Sequence, residues 1–497
     1  MGRAGRAVSS VTRRRCILVA LLAALALPSA APAAPEARSL QWRACGDGFQ
    51  CATLSVPRDW ARPHGQRIRL SLIRLPATRP GDGHVRSLLV NFGGPGASGV
   101  SSLRGSGRLL RRATKGRMHV VSWDPRGVGE SAPIRCPEGN DAYYDADPAT
   151  AEGLAAMAGA VRERADACFA RYGRYLGDIG TDQTVRDLDA IRAAVGDRRA
   201  TFLGLSYGTR VGSVYAQTLP RRVRAMVLDG NMPPVSTVTS VSIGLATAFE
   251  GGLNEYFRRC ARMDECPLGD DPAAGWDAIA ATLRSDPPIV PGTGGRRMTM
   301  GLFNQVTLAL IINYQGSSGA AGQAIAAYRR TGDPTALYEL GSAIAGARGP
   351  DGSYGNNGTE TFQFINCLDW QDRPTPAQVA ATIESVKGVA PRLGAFGVAF
   401  AMMNSTACPV AARPVPAISS DAIPPVLVVG NDNDAETPLV NSQEMSQALR
   451  GSRLLVWRGM GHTAITTSPC VARKAGRYLL TRALPPVGAT CPDLPLD

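Results

Sequence analysis

The chain has 497 residues, of which 44% are hydrophobic and 19% charged, with a formal net charge of +13. That length can bury a large core in more than one structural unit, and the composition excludes a disordered chain. The positive charge is mostly scattered arginine with no basic cluster interleaved with aromatics, which argues against a nucleic-acid partner.

At the N-terminus, Arg3, Arg6 and Arg13-Arg14-Arg15 precede the apolar run Ile17 to Leu27, then Ala31-Pro32-Ala33. A basic region, a short hydrophobic region and an Ala-x-Ala site predict a secretory signal over 1–33. The apolar run is too short to span a bilayer comfortably. Arg14-Arg15 before Cys16-Ile17-Leu18 also fits twin-arginine export, so both routes stay open. Losing the signal removes five arginines and no acid, lowering the charge to +8. No later segment is long and apolar enough for a transmembrane anchor, so a secreted or cell-envelope protein is expected.

Cys16 would leave with the signal, and ten cysteines remain: Cys45, Cys51, Cys136, Cys168, Cys260, Cys266, Cys367, Cys408, Cys470 and Cys491. An even count behind an export signal predicts five disulfides. Sequential pairing closes short or moderate loops and is favoured, although spacing alone does not fix connectivity. The lack of C-x-x-C pairs and the four histidines argue against a metal site.

In chain order, Cys51 to Val56 and Arg67 to Leu75 alternate as two antiparallel strands. Ser87 to Phe92 is a buried-type strand running into Gly93-Gly94-Pro95-Gly96, and Met118 to Trp123 is the next. Asp182 to Val195 carries apolar residues at helical spacing. Thr201-Phe202-Leu203 leads into Gly204-Leu205-Ser206-Tyr207-Gly208 and a further helix. Ala225 to Leu228, Pro425 to Val429 and Leu454 to Trp457 complete the core strands. Strands alternating with helices predict an α/β fold with a mostly parallel sheet over 34–235 and 415–497. The stretch 236–414 is alanine-rich and helical, too long for a loop, and reads as an inserted helical cap.

The strand–turn–helix setting of Gly204 to Gly208 is that of a nucleophile elbow, which makes Ser206 the candidate nucleophile. Of the four histidines, His64 and His84 lie in turns and His119 within a strand. His462 follows the final core strand and is the candidate general base. Asp434, in the loop after the penultimate strand, is the candidate acid, with Asp432, Glu436 and Asp229 as rivals. The order Ser206, Asp434, His462 is that of α/β-hydrolases. An oxyanion hole would combine the backbone N–H of Tyr207 with that of Gly94, or second Gly93; Pro95 has no N–H.

Asn91 to Gly99, Asp124-Pro125-Arg126-Gly127-Val128-Gly129-Glu130-Ser131, the Ser206 elbow and the Asp434 and His462 loops together resemble the prolyl aminopeptidase group of α/β-hydrolases, peptidase family S33. The similarity is greatest to the secreted tripeptidyl aminopeptidases of actinobacteria, and Trp42 to Cys45, Cys51 to Pro57 and Cys367-Leu368-Asp369-Trp370 point the same way. The resemblance implies an α/β-hydrolase fold, no cofactor, and release of short peptides, tripeptides foremost, from free N-termini. Such a reaction requires an anion that holds the substrate ammonium at a fixed distance from Ser206. Asp369 and Glu360 in the cap are the candidates by position. Two other readings compete: a secreted esterase or lipase on the same triad, and a non-catalytic surface-binding protein that keeps hydrolase parts as scaffold.

Overall fold

In the computed structural model, the described residues are 40–494 apart from 82–84, 315–318, 347, 350–352 and 421. The expected signal at 1–33 and His84 lie outside them. Ten strands among the described residues form one sheet: β1 (Arg43–Ala44), β2 (Gln50–Pro57), β3 (Arg67–Leu75), β4 (Ser87–Asn91), β5 (His119–Trp123), β6 (Ala200–Leu205), β7 (Val223–Asp229), β8 (Leu427–Asn433), β9 (Arg453–Met460) and β10 (Thr490–Cys491). Their order across the sheet is β1-β2-β3-β5-β4-β6-β7-β8-β9-β10. The β1–β2, β2–β3 and β3–β5 pairs are antiparallel, and every pairing from β5 to β10 is parallel.

Covering both faces explains why β4 and β6 are apolar runs without polar alternation, buried at every position. Leu89, Val121, Phe202, Met226 and Val428 face one side, packed on Val185, Leu188 and Ile191 of the helix Thr181–Ala194 and on Val211 and Tyr215 of the helix Tyr207–Thr218. Their sequence neighbours Leu88, Val120, Leu203, Val227 and Val429 face the other, against Leu103 and Leu110 of the helix Gly99–Ala113 and Val471, Ala475 and Leu479 of the helix Pro469–Thr481. Each such side chain contributes about 1.5–3 kcal/mol of burial. The carboxyl ends of the parallel strands share one edge, where open α/β sheets bind ligands.

Between β7 and β8 lie eight α-helices, from Val238–Cys260 to Gly394–Met402, and no strand of the sheet. They have a core of their own, built around Phe249, Trp276, Phe303, Val306, Ile311 and Leu337. The division at 236 is less clean than the sequence suggests. The helices Asn140–Asp145 and Ala151–Tyr172, between β5 and β6, put Tyr143, Met157 and Val161 into a cluster with Trp370, Val386 and Met402 of the cap. The spacing of Leu154, Met157 and Val161 carries that helical signal, which the sequence reading passed over.

Five disulfides join Cys45–Cys51, Cys136–Cys168, Cys260–Cys266, Cys367–Cys408 and Cys470–Cys491, the sequential pairing. Among the described residues, no helix is long and apolar enough to cross a membrane.

Candidate active site

Ser206 sits between the end of β6 and the helix Tyr207–Thr218, with φ 55° and ψ −127°. A non-glycine residue in that region is strained, and the surroundings must hold it. Its N–H donates to the carbonyl of Asp229 at 3.0 Å, and its own carbonyl accepts from Thr209 N at 2.8 Å. The flanking glycines are demanded by space: a Cβ on Gly204 would run into the Gly208 carbonyl, and one on Gly208 into that of Asn91. The turn therefore presents the hydroxyl at the start of a helix, where developing negative charge is favoured.

His462 follows β9 and is largely buried, its side chain 12% exposed. Nδ1 lies 2.8 Å from Asp434 Oδ1. Asp434 is over-determined: Oδ1 also accepts from the backbone N–H of Glu436 and Thr437 at 3.0 and 2.8 Å. Oδ2 accepts from the Thr437 hydroxyl at 3.1 Å and from Thr463 N at 3.3 Å. With Asn431 Nδ2 at 3.4 Å, five donors other than the imidazole hold this carboxylate, and they fix the ring's orientation by fixing its partner. Sequence reasoning missed Thr437, although a Thr three residues after Asp in a Pro-ended loop is a turn signal.

The rival acids have other work. Asp229 accepts from Ala464 N at 2.9 Å and Ile465 N at 2.8 Å, pinning the turn that follows His462. Burial pushes its carboxyl up to about 6. Asp432 pairs at 3.0 Å with Arg458, away from the imidazole. Glu436 Oε2 lies 3.0 Å from His462 Nε2, yet Nε2 has no aligned hydrogen-bond partner. The contact is thus ionic and off the N–H direction. Burial opposes the charged imidazole, but Asp434 and Glu436 outweigh it and push His462 up to about 9. Of the other histidines, His64 is in an exposed turn, and His119 Nδ1 accepts from Ala77 N at 3.1 Å.

The glycine loop after β4 is held from two sides. Gly93 N donates to Asn91 Oδ1 at 3.0 Å, which commits that donor and leaves Gly94 as the better oxyanion candidate. Asp124 Oδ1 accepts from Ser98 Oγ at 2.6 Å and Val100 N at 3.1 Å, and Oδ2 from Glu130 N at 3.0 Å. The Asp124–Ser131 motif therefore braces the candidate oxyanion loop. Arg126 anchors it through the buried pair with Asp187 at 2.6 Å.

Two cavities meet at this edge. One of about 350 Å³ is lined by Ser206, Tyr207 and Gly94, with Met232, Asn366 and Trp370. The other, about 740 Å³, runs under the cap past Tyr143, Leu308, Phe396 and Asn356. Pro95, Phe362, Phe400 and Glu436 line both.

Neither carboxylate expected to hold the substrate ammonium lines these cavities. Asp369 Oδ2 accepts from Thr181 Oγ1 at 2.7 Å and lies 3.8 Å from Arg210, which stacks over Trp370. Thr181 Oγ1 in turn bonds the hydroxyl of Tyr207. Asp369 thus sits behind the elbow, and burial pushes its carboxyl up to about 6. Glu360 accepts from Cys136 N at 3.2 Å, beside the Cys136–Cys168 bridge. Both were placed by sequence position in the cap, and packing turned them inward.

Two family models match the chain: one described as alpha/beta hydrolase fold, over residues 87–278, and one described as TAP-like protein, over residues 395–491. The chain is 32% identical over 467 residues to serine protease Hip1 of Mycobacterium tuberculosis, covering 89% of this chain and 87% of that protein. It is 30% identical over 492 residues to tripeptidyl aminopeptidase of Streptomyces lividans, covering 93% and 88%. It is also 33% identical over 497 residues to a Mycobacterium tuberculosis protein named carboxylesterase B, covering 93% and 91%.

Proposed function

We propose that this chain, which belongs to the TAP-like family of α/β-hydrolase serine peptidases, is an exported exopeptidase releasing short peptides, tripeptides foremost, from free N-termini. The observation that carries the reading is the strained Ser206 lining a cavity, on the same sheet edge as the His462–Asp434 pair. In the reaction, His462 takes the Ser206 proton as Oγ attacks the scissile carbonyl. The N–H groups of Tyr207 and Gly94 receive the oxyanion, and the proton passes to the leaving nitrogen. Water then hydrolyses the acyl-enzyme. Five disulfides and the expected signal support export.

A second reading has its own support. Phe362, Phe396, Phe400, Leu308 and Ile312 give the larger cavity an apolar wall suited to an acyl chain, and one relative is named a carboxylesterase. Matched peptides with free or acetylated N-termini, assayed beside an acyl ester, separate the two. The expected result is at least about a hundredfold preference for the free terminus, the usual scale for leaving a buried charge without its partner. Mass spectrometry of the products gives the fragment length. Equal cleavage of both peptides would leave an endopeptidase or esterase on the same serine.

A further inference from the structure

Glu436 is the carboxylate that touches both the candidate base and the candidate substrate space. Its Oε2 is 3.0 Å from His462 Nε2, its side chain is 20% exposed, and it lines both cavities. The charged residues lining the Ser206 cavity are Glu436 and Glu444; no Lys, Arg or His joins them among the described residues. The nucleophile therefore faces a space with an excess of negative charge.

That arrangement poses a chemical problem for the base. Nε2 must offer a lone pair to the Ser206 proton. A carboxylate at 3.0 Å stabilises a proton on Nε2 instead, and an imidazolium cannot accept another. The surrounding charges reinforce this. Asp434, just after β8, and Asp229, at the end of β7, face His462, and Asp434 also faces Glu436. Among the described residues, the segment 236–414 brings no charged side chain to the Ser206 cavity, only polar and apolar ones such as Asn366, Trp370, Phe362 and Phe400. Another cation in the cavity would relieve the pairing.

We propose that Glu436 holds the His462 imidazole at Nε2 while the cavity is empty and exchanges to the α-ammonium of an incoming peptide, so that a free N-terminus unlocks the base. The inference rests on the reading of Ser206 and His462 as a catalytic pair. When the ammonium takes the carboxylate, the imidazolium releases its Nε2 proton to solvent. Neutral Nε2 then accepts the Ser206 proton as the Oγ–C bond forms, and delivers it to the leaving nitrogen as the C–N bond breaks. Glu436 is thus a positioning residue for the base and a specificity residue for the substrate. It does the work first expected of Asp369 and Glu360, from the core loop and not from the cap.

The test uses the whole mature enzyme, with Glu436→Gln, Glu436→Ala and Glu436→Asp, and three substrates: a tripeptide nitroanilide, its N-acetyl form, and p-nitrophenyl acetate. Thermal melting and labelling of Ser206 by a phosphonate show that each variant is folded. For wild type on the neutral ester, kcat/KM should rise with pH along a limb near 9, where His462 loses its proton. In Glu436→Gln that limb should fall by about one pH unit or more, raising ester turnover at pH 7 about tenfold. The preference for the free over the acetylated peptide should shrink at least about tenfold, and Glu436→Asp should restore part of it. An unmoved limb overturns the proposal. So does a shifted limb with the free-terminus preference intact, because the carboxylate would then tune the imidazole without taking the ammonium. If folded wild type neither turns over these substrates nor labels at Ser206, it is the underlying catalytic reading that fails.

Discussion

Two acidic groups flank the elbow, and they behave differently. In front, Asp434 and Glu436 bracket the two ring nitrogens of His462, and Glu436 borders both cavities. Behind, Asp369 is buried among Thr181, Tyr207 and Arg210, with its charge answered inside the protein. The front pair sits in a loop that leaves a parallel strand at its carboxyl end, so Asp434 reaches the imidazole and Glu436 reaches the substrate space. The rear group sits at the end of a packed helix, and its side chain is absorbed by the fold. An acid's place in the chain says that it is near a site; the direction of its loop or helix decides whether it works there.

The largest effect is expected at the nucleophile. Ser206→Ala should abolish turnover and leave the melting temperature nearly unchanged, because only the covalent step loses its group. A serine-directed phosphonate should label wild type at Ser206, and an adduct mapped to any other residue would sink the assignment. Next, Asp434→Asn should cost on the order of 10⁴ in kcat by the logic of the serine-protease triad. Asp229→Asn should cost much less in kcat and show mainly as lower stability, since Asp229 pins backbone and not the imidazole. A reversal of those two would move the catalytic acid to the end of β7.

Behind the elbow the expected effect is on stability. Asp369→Asn leaves Arg210 buried without its counter-charge, a change that typically costs about 3–5 kcal/mol. Denaturant titration should show that loss, and free and acetylated peptides should be discriminated as in wild type. Loss of discrimination there, with stability kept, would return the ammonium site to the cap.

The smallest effect is a slope. His462 is raised above its ordinary 6.5 to about 9 in the folded state. Its contribution to stability is therefore fully present below pH 6.5 and lost as pH rises through about 9. Melting temperatures measured from pH 6 to 10 should fall across that window. The fall should be shallower in Glu436→Gln, where one of the two stabilising carboxylates is gone.

The front of the site was legible for a physical reason. Ser206, Asp434 and His462 each follow a buried apolar strand, and a parallel sheet delivers such loops to one edge whatever lies between them in sequence. Gly204 and Gly208 were legible because no side chain fits against Gly208 and Asn91. The partner of Asp369 was not, because Thr181 is 188 residues away and reaches it only through the packing of two helices. Nor was the shared hydrophobic cluster of the helix Ala151–Tyr172 and the cap, since amphipathic spacing says that a face is covered and not by what. In the sequence Glu436 stands only as a rival to Asp434; that it meets the other ring nitrogen depends on the bend of the loop.

The order of the disulfides has a consequence for biogenesis. Each bridge joins two cysteines with no other cysteine between them in the chain, at separations of 6, 32, 6, 41 and 21 residues. On the proposed export, if the chain is threaded N-terminus first into an oxidising compartment, every second thiol finds a single unbridged predecessor, and it is the right one. An oxidase that joins the two most recent arrivals builds all five bonds without an isomerase. The fully reduced, denatured chain has no such ordering, because its ten thiols compete at once. Oxidative refolding in bulk should accordingly return less native enzyme than export with vectorial oxidation, and the deficit should close when a disulfide isomerase is added.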